Sequence, residues 1–416
     1  MRVLFLSQIV PYPPHGGVLQ RGFNLIRELG RRAEVHLFAF VHPDALPTPG
    51  TLEESRRVLG QFCARVSYFS LWPKRSKVHG LACLGLGLLS KDPFSIVAHR
   101  SAPLTRAVEQ AGQAGPFDVV HADTIALTPF VDLGPARRAP TVLTHHNVES
   151  QLMQRRSEVE TRAAARWFLS REAAKLRGYE ADVSPRYDVN VFMSEPDREL
   201  LAARVPAIRA AVVPNGVDVD YFAADTAGGC EPALVYTGGM NMFANRDAVT
   251  SFLTEVWPTV AAAVPDVRFY VVGQDPPREL RSLAERDARV VVTGYVDDIR
   301  PVVRKAAVYV VPLRVGGGTR LKVLDAMASG KAIVSTTIGC EGLDVVPGEH
   351  LLVADAAADF ARTTIALLGD RARRVTLGAA ARARVEHRYA WPVVGDQLMA
   401  AYRQAMAHYT RSAPPA

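Results

Sequence analysis

Short apolar runs rich in β-branched residues alternate with helical patterns along the whole chain. This alternation is typical of a parallel β-sheet that helices cover on both faces. The strands predicted in the first half of the chain are residues 3–7, 34–40, 66–70, 118–121, 141–144 and 189–193.

A second series of apolar runs begins after the turn Asn215-Gly216. Its predicted strands are residues 234–237, 267–272, 290–293, 307–312 and 332–335. A single sheet of about eleven strands would exceed the usual size of an open twisted sheet. We therefore predict an α/β protein with two Rossmann-like domains, residues 1–208 and 209–388, and a last helix within residues 389–410.

The composition agrees with a folded protein of two domains. The chain has 416 residues, of which 48% are hydrophobic and 22% are charged. Its four cysteines lie far apart, and no apolar run reaches the roughly 18 residues of a spanning helix. We expect reduced thiols and a cytoplasmic location. The net charge of +7 favours anionic partners such as nucleotides, lipid phosphates or nucleic acid, without choosing among them.

Two glycine-rich loops follow predicted strands and precede predicted helices. Gly16-Gly17 precedes a helix at about 18–29, and residues 316–322 read GGGTRLK before a helix that includes Asp325. Backbone without side chains at a helix N-terminus suits a phosphate group, and Arg320 and Lys322 add positive charge there. The alternatives are an ordinary turn at the first loop and a solvated turn at the second.

The segment 316–338 resembles the nucleotide-sugar loop and helix of family 4 glycosyltransferases of the GT-B fold. Other motifs of that family match in the same order. They are Gly16-Gly17, His121 in DVVHAD, His146-Asn147 in LTHHNVE, residues 215–218, the strand ending at Gly273 and VTGYVDDI at 292–299.

This resemblance implies two Rossmann-like domains facing across a cleft and a C-terminal helix that crosses back to the first domain. It also implies a retaining glycosyltransferase that moves a sugar from a nucleotide-diphosphate donor to an acceptor hydroxyl, in polysaccharide, exopolysaccharide or glycolipid synthesis. The donor is a substrate, and the resemblance implies no cofactor and no catalytic metal.

The resemblance also assigns roles to residues. It implies His146, Arg320 and Lys322 as catalytic residues. The residues that it implies as substrate-binding are Gly16, Gly17, His121, Asn147, Gly239, Asn245, Gly273, Gly317, Gly318, Thr319, Leu321 and Asp325.

The chain departs from the family pattern at two places. Gly317 and Asp325 stand where the family has the two glutamates of Glu-x7-Glu, and Met240 and Asn245 stand near its usual Arg and Lys. We expect Arg320 and Lys322 to supply the missing positive charge. Arg320→Ala should then reduce turnover with little loss of stability. We interpret Asp297-Asp298 as a helix N-cap instead of a metal site.

The sequence leaves two alternatives to a glycosyltransferase open. One is a non-catalytic nucleotide-sugar binding protein, and the other is a GT-B nucleotide-sugar epimerase. We expect a saccharide or lipid-linked acceptor and no nucleic acid. Basic residues before the apolar run 78–89, and a basic helical pattern at 155–177, suit contact with an anionic membrane. The alternative is that both segments are surface helices that pack on the sheet.

Overall fold

The computed structural model describes residues 1–14, 16–43, 50–131, 138–223, 231–315 and 320–412. Gly317, Gly318 and Thr319 lie outside these ranges. Residue contacts divide the chain into two units. The first contains Met1–Pro214 and the chain from Val394 on, and the second is Asn215–Val393.

The first unit contains a parallel sheet of seven strands in the order β3-β2-β1-β4-β5-β6-β7. An order that starts in the middle of the sheet and grows to both sides is the doubly wound, Rossmann-like arrangement. The strands are β1 Arg2–Ser7, β2 Glu34–Val41, β3 Arg65–Ser70, β4 Val119–Ala122, β5 Thr141–His145, β6 Val189–Phe192 and β7 Ala210–Val212.

Among the described residues, nine α-helices lie between the first and the last strand of this sheet in chain order. They are α1 Gly17–Gly30, α2 Thr51–Leu59, α3 Lys77–Leu89, α4 Phe94–Ala98, α5 Ala102–Gln113, α6 Thr128–Val131, α7 Glu149–Val159, α8 Ala163–Val183 and α9 Glu195–Arg204. The basic pattern at 155–177 therefore falls on two helices, α7 and α8, with a break between them.

The second unit repeats the plan with six parallel strands in the order β10-β9-β8-β11-β12-β13. The strands are β8 Glu231–Thr237, β9 Arg268–Val272, β10 Val290–Gly294, β11 Ala306–Val311, β12 Ala332–Ser335 and β13 Leu352–Val353. The helices that follow are α10 Phe243–Ser251, α11 Trp257–Ala263, α12 Arg278–Ala284, α13 Arg300–Lys305, α14 Leu321–Ala328, α15 Ala357–Gly369, α16 Arg371–Arg388 and α17 Trp391–Ser412.

All eleven predicted strands are present, and most of their bounds agree within one residue. Buried apolar strands explain this agreement, since every residue of β11 is buried and a parallel sheet covered on both faces requires continuous apolar runs. Two short strands at sheet edges, β7 and β13, were not predicted. Because β7 pairs with β6, the first unit extends to Pro214, past the boundary at 208 that the sequence suggested.

The last helix, α17, returns to the first unit, as predicted. Tyr402 on this helix is fully buried, and its hydroxyl lies 2.7 Å from Nδ1 of His121 on β4. Nearer the start of the helix, Asp396 accepts a hydrogen bond from Arg32, which follows α1. Among the described residues, no helix is both long and apolar enough to cross a membrane.

The carboxyl ends of β8 and β9 approach each other closely in the second unit. A Cβ atom placed on Gly273, directly after β9, would lie 1.9 Å from the carbonyl oxygen of Gly238, directly after β8. No side chain fits at that distance. Backbone packing therefore requires glycine at position 273, whether or not a substrate also approaches it.

We expect Gly273→Ala to destabilise the protein by about 1–3 kcal/mol, because the methyl group forces these two backbone segments apart. Thermal unfolding of the purified protein measures this loss. Gly369→Ala is the matched control, since a Cβ atom there meets nothing within 4 Å. Equal melting temperatures for both variants would contradict the close approach.

Candidate active site

A buried polar cluster lies at the carboxyl end of β8 in the second unit. Lys322, in the first turn of α14, donates hydrogen bonds of 2.6 Å to the hydroxyl of Tyr236 and of 2.6 Å to Oδ1 of Asn245. The Tyr236 hydroxyl also donates to Asn245 Oδ1, at 2.7 Å. The structure thus brings together two predicted site residues, Lys322 and Asn245, and adds Tyr236 to them.

Glycine makes room for this cluster. Gly238 has φ +153°, and a Cβ atom on it would lie 2.8 Å from Lys322 Nζ and 2.9 Å from Asn245 Nδ2. The neighbouring Gly239 presents its carbonyl oxygen to Asn245 Nδ2 at 2.8 Å. The two glycines therefore let backbone pack directly against the amide and the ammonium group.

The family's usual Arg and Lys positions have different fates in this chain. Met240 is completely buried in the core of the second unit, so its position cannot hold an exposed cation. Asn245 carries no charge, but the ammonium group of Lys322 touches its side-chain oxygen. The ammonium group of Lys322 therefore lies near the place of the family's usual cations, although Lys322 belongs to α14 and Asn245 to α10.

Asp325 lies one helical turn after Lys322 on α14 and is half-buried like it. Burial raises the pKa of Asp325 to about 7, although the charge of Lys322 opposes this shift. Burial, together with the charge of Arg320, lowers the pKa of Lys322 to about 7. Burial disfavours the charged form of each group, so both have a pKa near 7.

Arg320 is oriented differently from the prediction. It is only 7% exposed, its Nε donates to the carbonyl oxygen of Ile338 at 3.1 Å, and Nη2 lies 3.5 Å from Glu341. A buried guanidinium group with these contacts stabilises the loop after β12. The expectation that Arg320→Ala leaves stability nearly unchanged is therefore wrong, since it removes a buried charged hydrogen bond.

The structure also bears on the predictions for Leu321, as a substrate-binding residue, and for Asp298, as a helix N-cap. Leu321 packs its side chain against the apolar core of the second unit. Asp298 accepts a hydrogen bond from the Arg300 backbone at 2.9 Å, but the N-cap residue of α13 is Ile299, without a side-chain cap. Asp298 instead holds the Arg300 side chain, whose hydrogen bonds lower the pKa of Asp298.

Histidines lie at the carboxyl ends of β4 and β5 in the first unit. His146 follows β5, and its Nε2 lies 3.4 Å from Oδ2 of Asp123, which follows β4. The His146 side chain is 10% exposed and that of Asp123 is 2% exposed. The fully buried Arg21 on α1 interacts electrostatically with Asp123 and donates to the carbonyl oxygens of Val213 and Pro214.

His121 lies inside the core, away from solvent. It is fully buried, and its two ring nitrogens lie 2.7 Å from the Tyr402 and Thr144 hydroxyls. Burial lowers the pKa of His121 to about 4. The predicted role in substrate binding does not fit this position, because the ring has no free nitrogen to offer; it ties α17 to the sheet.

The remaining predicted residues of the first unit lie at helix starts. Gly16 is the N-cap of α1 with φ +86°, a conformation that side chains rarely adopt, and Gly17 is its first residue. Asn147 is half-buried two residues before α7. These positions are consistent with the predicted roles, which remain predictions.

Sequence reasoning missed Asp123, Tyr236 and Arg21. Asp123 carried a usable signal, because an acidic residue directly after a buried strand lies at the edge where α/β proteins bind ligands. Tyr236 and Arg21 carried none, since each belongs to an ordinary strand or helix pattern. Their importance comes from partners far away in sequence.

The comparison with known proteins agrees with this architecture. The family model described as Glycosyltransferase Family 4 matches residues 15–221, and the one described as Glycosyl transferases group 1 matches residues 231–370. The two matches fall on the two units in turn. The chain belongs to this family of glycosyltransferases.

Individual relatives share about a third of their residues or fewer with this chain over the aligned regions. The phosphatidyl-myo-inositol mannosyltransferase of Mycobacterium tuberculosis is 32% identical over 206 residues, which are 46% of this chain and 53% of that protein. The alignment thus spans about half the length of this relative. The enzyme of the same name from Mycolicibacterium smegmatis is 28% identical over 74% of this chain and 77% of its own length.

Among solved structures, HepE of Anabaena in complex with UDP superposes with a TM-score of 0.66 at 15% identity, covering 96% of this chain and 99% of HepE. At this identity the likeness shows the fold alone. The fold is GT-B, with two Rossmann-like domains.

The raised pKa of Asp325 predicts how stability depends on pH. Its folded-state pKa of about 7 exceeds the ordinary 3.8, so the folded protein holds a proton that the unfolded chain releases between these values. Relative to Asp325→Asn, the wild-type protein should therefore lose stability as the pH rises from about 4 to 7. Urea unfolding across this range measures the difference.

The exposed Asp266 in the same unit provides the control. Asp266→Asn removes a carboxylate that solvent already surrounds, so it should change the measured stability less than Asp325→Asn does. A flat difference for Asp325→Asn would show that its carboxyl group is not desolvated.

Proposed function

We propose that this protein is a retaining glycosyltransferase that transfers a sugar from a nucleotide-diphosphate donor to an acceptor hydroxyl. The observation that carries this proposal is the position of Lys322, whose ammonium group lies 2.6 Å from the side-chain oxygen of Asn245, near the place of the family's usual cations. The family relationship supports the reaction class, and the half-buried cation supports a site for a diphosphate.

The main electrostatic demand of the reaction is the charge that develops on the departing nucleoside diphosphate. Lys322 in the first turn of α14 and the backbone N–H groups of that helix start favour an anion. Asp325, one turn further, is suited to accept hydrogen bonds from ribose hydroxyls. In the first unit, the Gly16 and Gly17 amides at the start of α1 are likewise suited to an anion.

A lysine with a pKa of about 7 suits this role. Burial lowers the pKa of Lys322, so the free protein bears a cost for keeping the ammonium charged. A bound diphosphate offsets this cost by pairing with the charge. The cation thus interacts more strongly with a fully charged leaving group than with a neutral ligand.

The donor and the acceptor are proposals from relatives. HepE was solved with UDP, and in a further structure with UDP and glucose, which supports a nucleotide-sugar donor. The mycobacterial relatives are named phosphatidyl-myo-inositol mannosyltransferases, which supports glycolipid synthesis and a lipid-linked acceptor.

The first unit offers a surface that suits such a lipid acceptor. Only Cys83 and Gly87 of α3 are buried, whereas Val78, Leu81 and Leu89 are 74%, 69% and 87% exposed. No acidic residue occurs between Glu54 and Asp92, but seven Lys and Arg residues do. An exposed apolar helix within a purely basic stretch fits the surface of an anionic membrane.

This surface predicts binding to vesicles of phosphatidylcholine with phosphatidylglycerol, and weaker binding to phosphatidylcholine alone. Leu81→Gln/Leu89→Gln should reduce the affinity by about tenfold or more, because each leucine contributes on the order of 1.5–3 kcal/mol when buried. Sedimentation with vesicles measures it. Val375→Gln, at an apolar position on α16 that is 63% exposed, is the control and should bind like the wild type.

If the leucine variant binds these vesicles as tightly as the control does, α3 does not contact the membrane. Binding that survives high salt but not the leucine substitutions would assign the contact to apolar burial without the basic residues.

Moving the cation tests the reaction site itself. Transfer from a panel of UDP- and GDP-sugars should be detectable with the wild-type protein. It should fall by about 100-fold or more in Lys322→Met, because a charge that stabilises the leaving group is lost. The double variant Asn245→Lys/Lys322→Met returns an ammonium to the same place from α10 and should recover part of the lost turnover.

The outcomes separate the competing functions. Donor binding without any transfer or donor hydrolysis would support a non-catalytic binding protein. Interconversion of the donor sugar without an acceptor would support an epimerase. Full activity of Lys322→Met would remove this lysine from the site.

A further inference from the structure

Asp123 is a buried carboxylate with an incomplete set of partners. It follows β4 and is 2% exposed, and its backbone N–H donates to Leu6 on β1 at 3.0 Å. Oδ2 lies 3.4 Å from His146 Nε2. The other oxygen, Oδ1, is buried and has no hydrogen-bond partner among the residues that the structure describes.

Such an arrangement opposes folding. A buried polar group without its hydrogen bond costs about 1–3 kcal/mol, and a charged group costs more. The fully buried Arg21 offsets part of this cost electrostatically, since its own hydrogen bonds to Val213 and Pro214 fix the guanidinium group near Asp123. A buried polar atom without a partner requires an explanation, and a role in binding or catalysis is one such explanation.

The two ring nitrogens of His146 have different surroundings. Nε2 is buried and lies 3.4 Å from Oδ2 of Asp123, and it makes no hydrogen bond with the described residues. The His146 side chain is 10% exposed, and the described residues provide no hydrogen bond to Nδ1. A carboxylate beside Nε2 favours the tautomer with the proton on that nitrogen, which leaves the lone pair of Nδ1 facing outward.

The neighbouring histidines cannot take this role. His121 has both nitrogens within hydrogen-bonding distance of hydroxyls. His145 is stacked on Phe192 at 4.8 Å, and its Nε2 lies 2.9 Å from Asn190 Oδ1. Burial lowers the pKa of both rings to about 4, so both are neutral at pH 7.

One further ionisable group on another element faces His146. Glu149, the first residue of α7, interacts electrostatically with the ring, and burial raises the pKa of its carboxyl group. Arg21, His121, His145 and Glu149 thus surround the pair of Asp123 and His146. Among these groups, Asp123 is the carboxylate within 4 Å of the ring.

We propose that Asp123 is a positioning residue that holds His146 with its proton on Nε2, so that Nδ1 accepts a hydrogen bond from a substrate hydroxyl. This deepens the proposed function, on which it rests for the identity of that hydroxyl. The site then selects for a hydroxyl donor on the sugar or the acceptor, and an ether or a carbonyl at that place pairs poorly with the ring.

The tautomer of His146 tests the proposal without any substrate. In protein labelled with ¹⁵N-histidine, two-bond ¹H–¹⁵N spectra distinguish a protonated nitrogen from a bare one, and His146→Ala identifies the signals. We expect Nε2–H in the wild type. Asp123→Asn should shift His146 toward Nδ1–H, since the amide NH₂ group can donate to Nε2.

Asp188→Asn is the matched control. Asp188 is also a buried carboxylate of the first unit, and its Oδ1 lies 2.9 Å from Nδ1 of another histidine, His408. Its replacement should leave the His146 signals unchanged. An Nδ1–H tautomer in the wild type, or His146 signals that are the same in Asp123→Asn, would overturn the proposal and leave Asp123 as a structural counterion of Arg21.

Kinetics provide the second readout. Asp123→Asn should lower kcat/KM for sugar transfer by about tenfold or more, the value of one lost hydrogen bond to a substrate. The same substitution in a His146→Ala background should have no further effect, because Asp123 acts through that ring. A full additional loss there would overturn the proposal. Absence of transfer in the wild type would contradict the proposed function but not the tautomer result.

Discussion

Parallel pairing is the constraint on which both units depend. Because every strand in a sheet runs the same way, all strand-to-helix loops of that sheet leave at one edge. Residues that are far apart in sequence but directly follow strands are therefore brought together. In the first unit this edge collects Asp123 and His146, and in the second it collects Gly238, Gly273 and the start of α14.

The edge of the second sheet shows how a charge can be kept while its sequence position changes. The family's usual cations after the first strand of this domain are replaced by a buried methionine and by an asparagine. Lys322 reaches the asparagine from another helix, and two glycines leave the space for its ammonium group. Burial of the cation, which lowers its pKa, ties its ionisation to whatever anion binds beside it.

The histidines of the first unit show that residue type alone does not assign chemistry. His121, His145 and His146 follow or end neighbouring strands, yet two of them are fully engaged in the core. His121 and His145 lie within strands of a sheet that is covered on both faces, so both are buried although they point to opposite faces. His146 lies past the end of β5, and its side chain is 10% exposed.

The sequence by itself determined the elements and their class. The apolar runs predicted eleven strands with most bounds within one residue, and the order of the motifs along the chain indicated the family. These signals are local, since burial of a strand depends on its own composition. The tertiary structure alone decided which side chains meet. Lys322 contacts Asn245, and His146 lies beside Asp123. Arg320 donates to the backbone of Ile338, whereas the sequence suggested that it binds a phosphate. Such pairs depend on the packing of distant segments, and no local pattern records them.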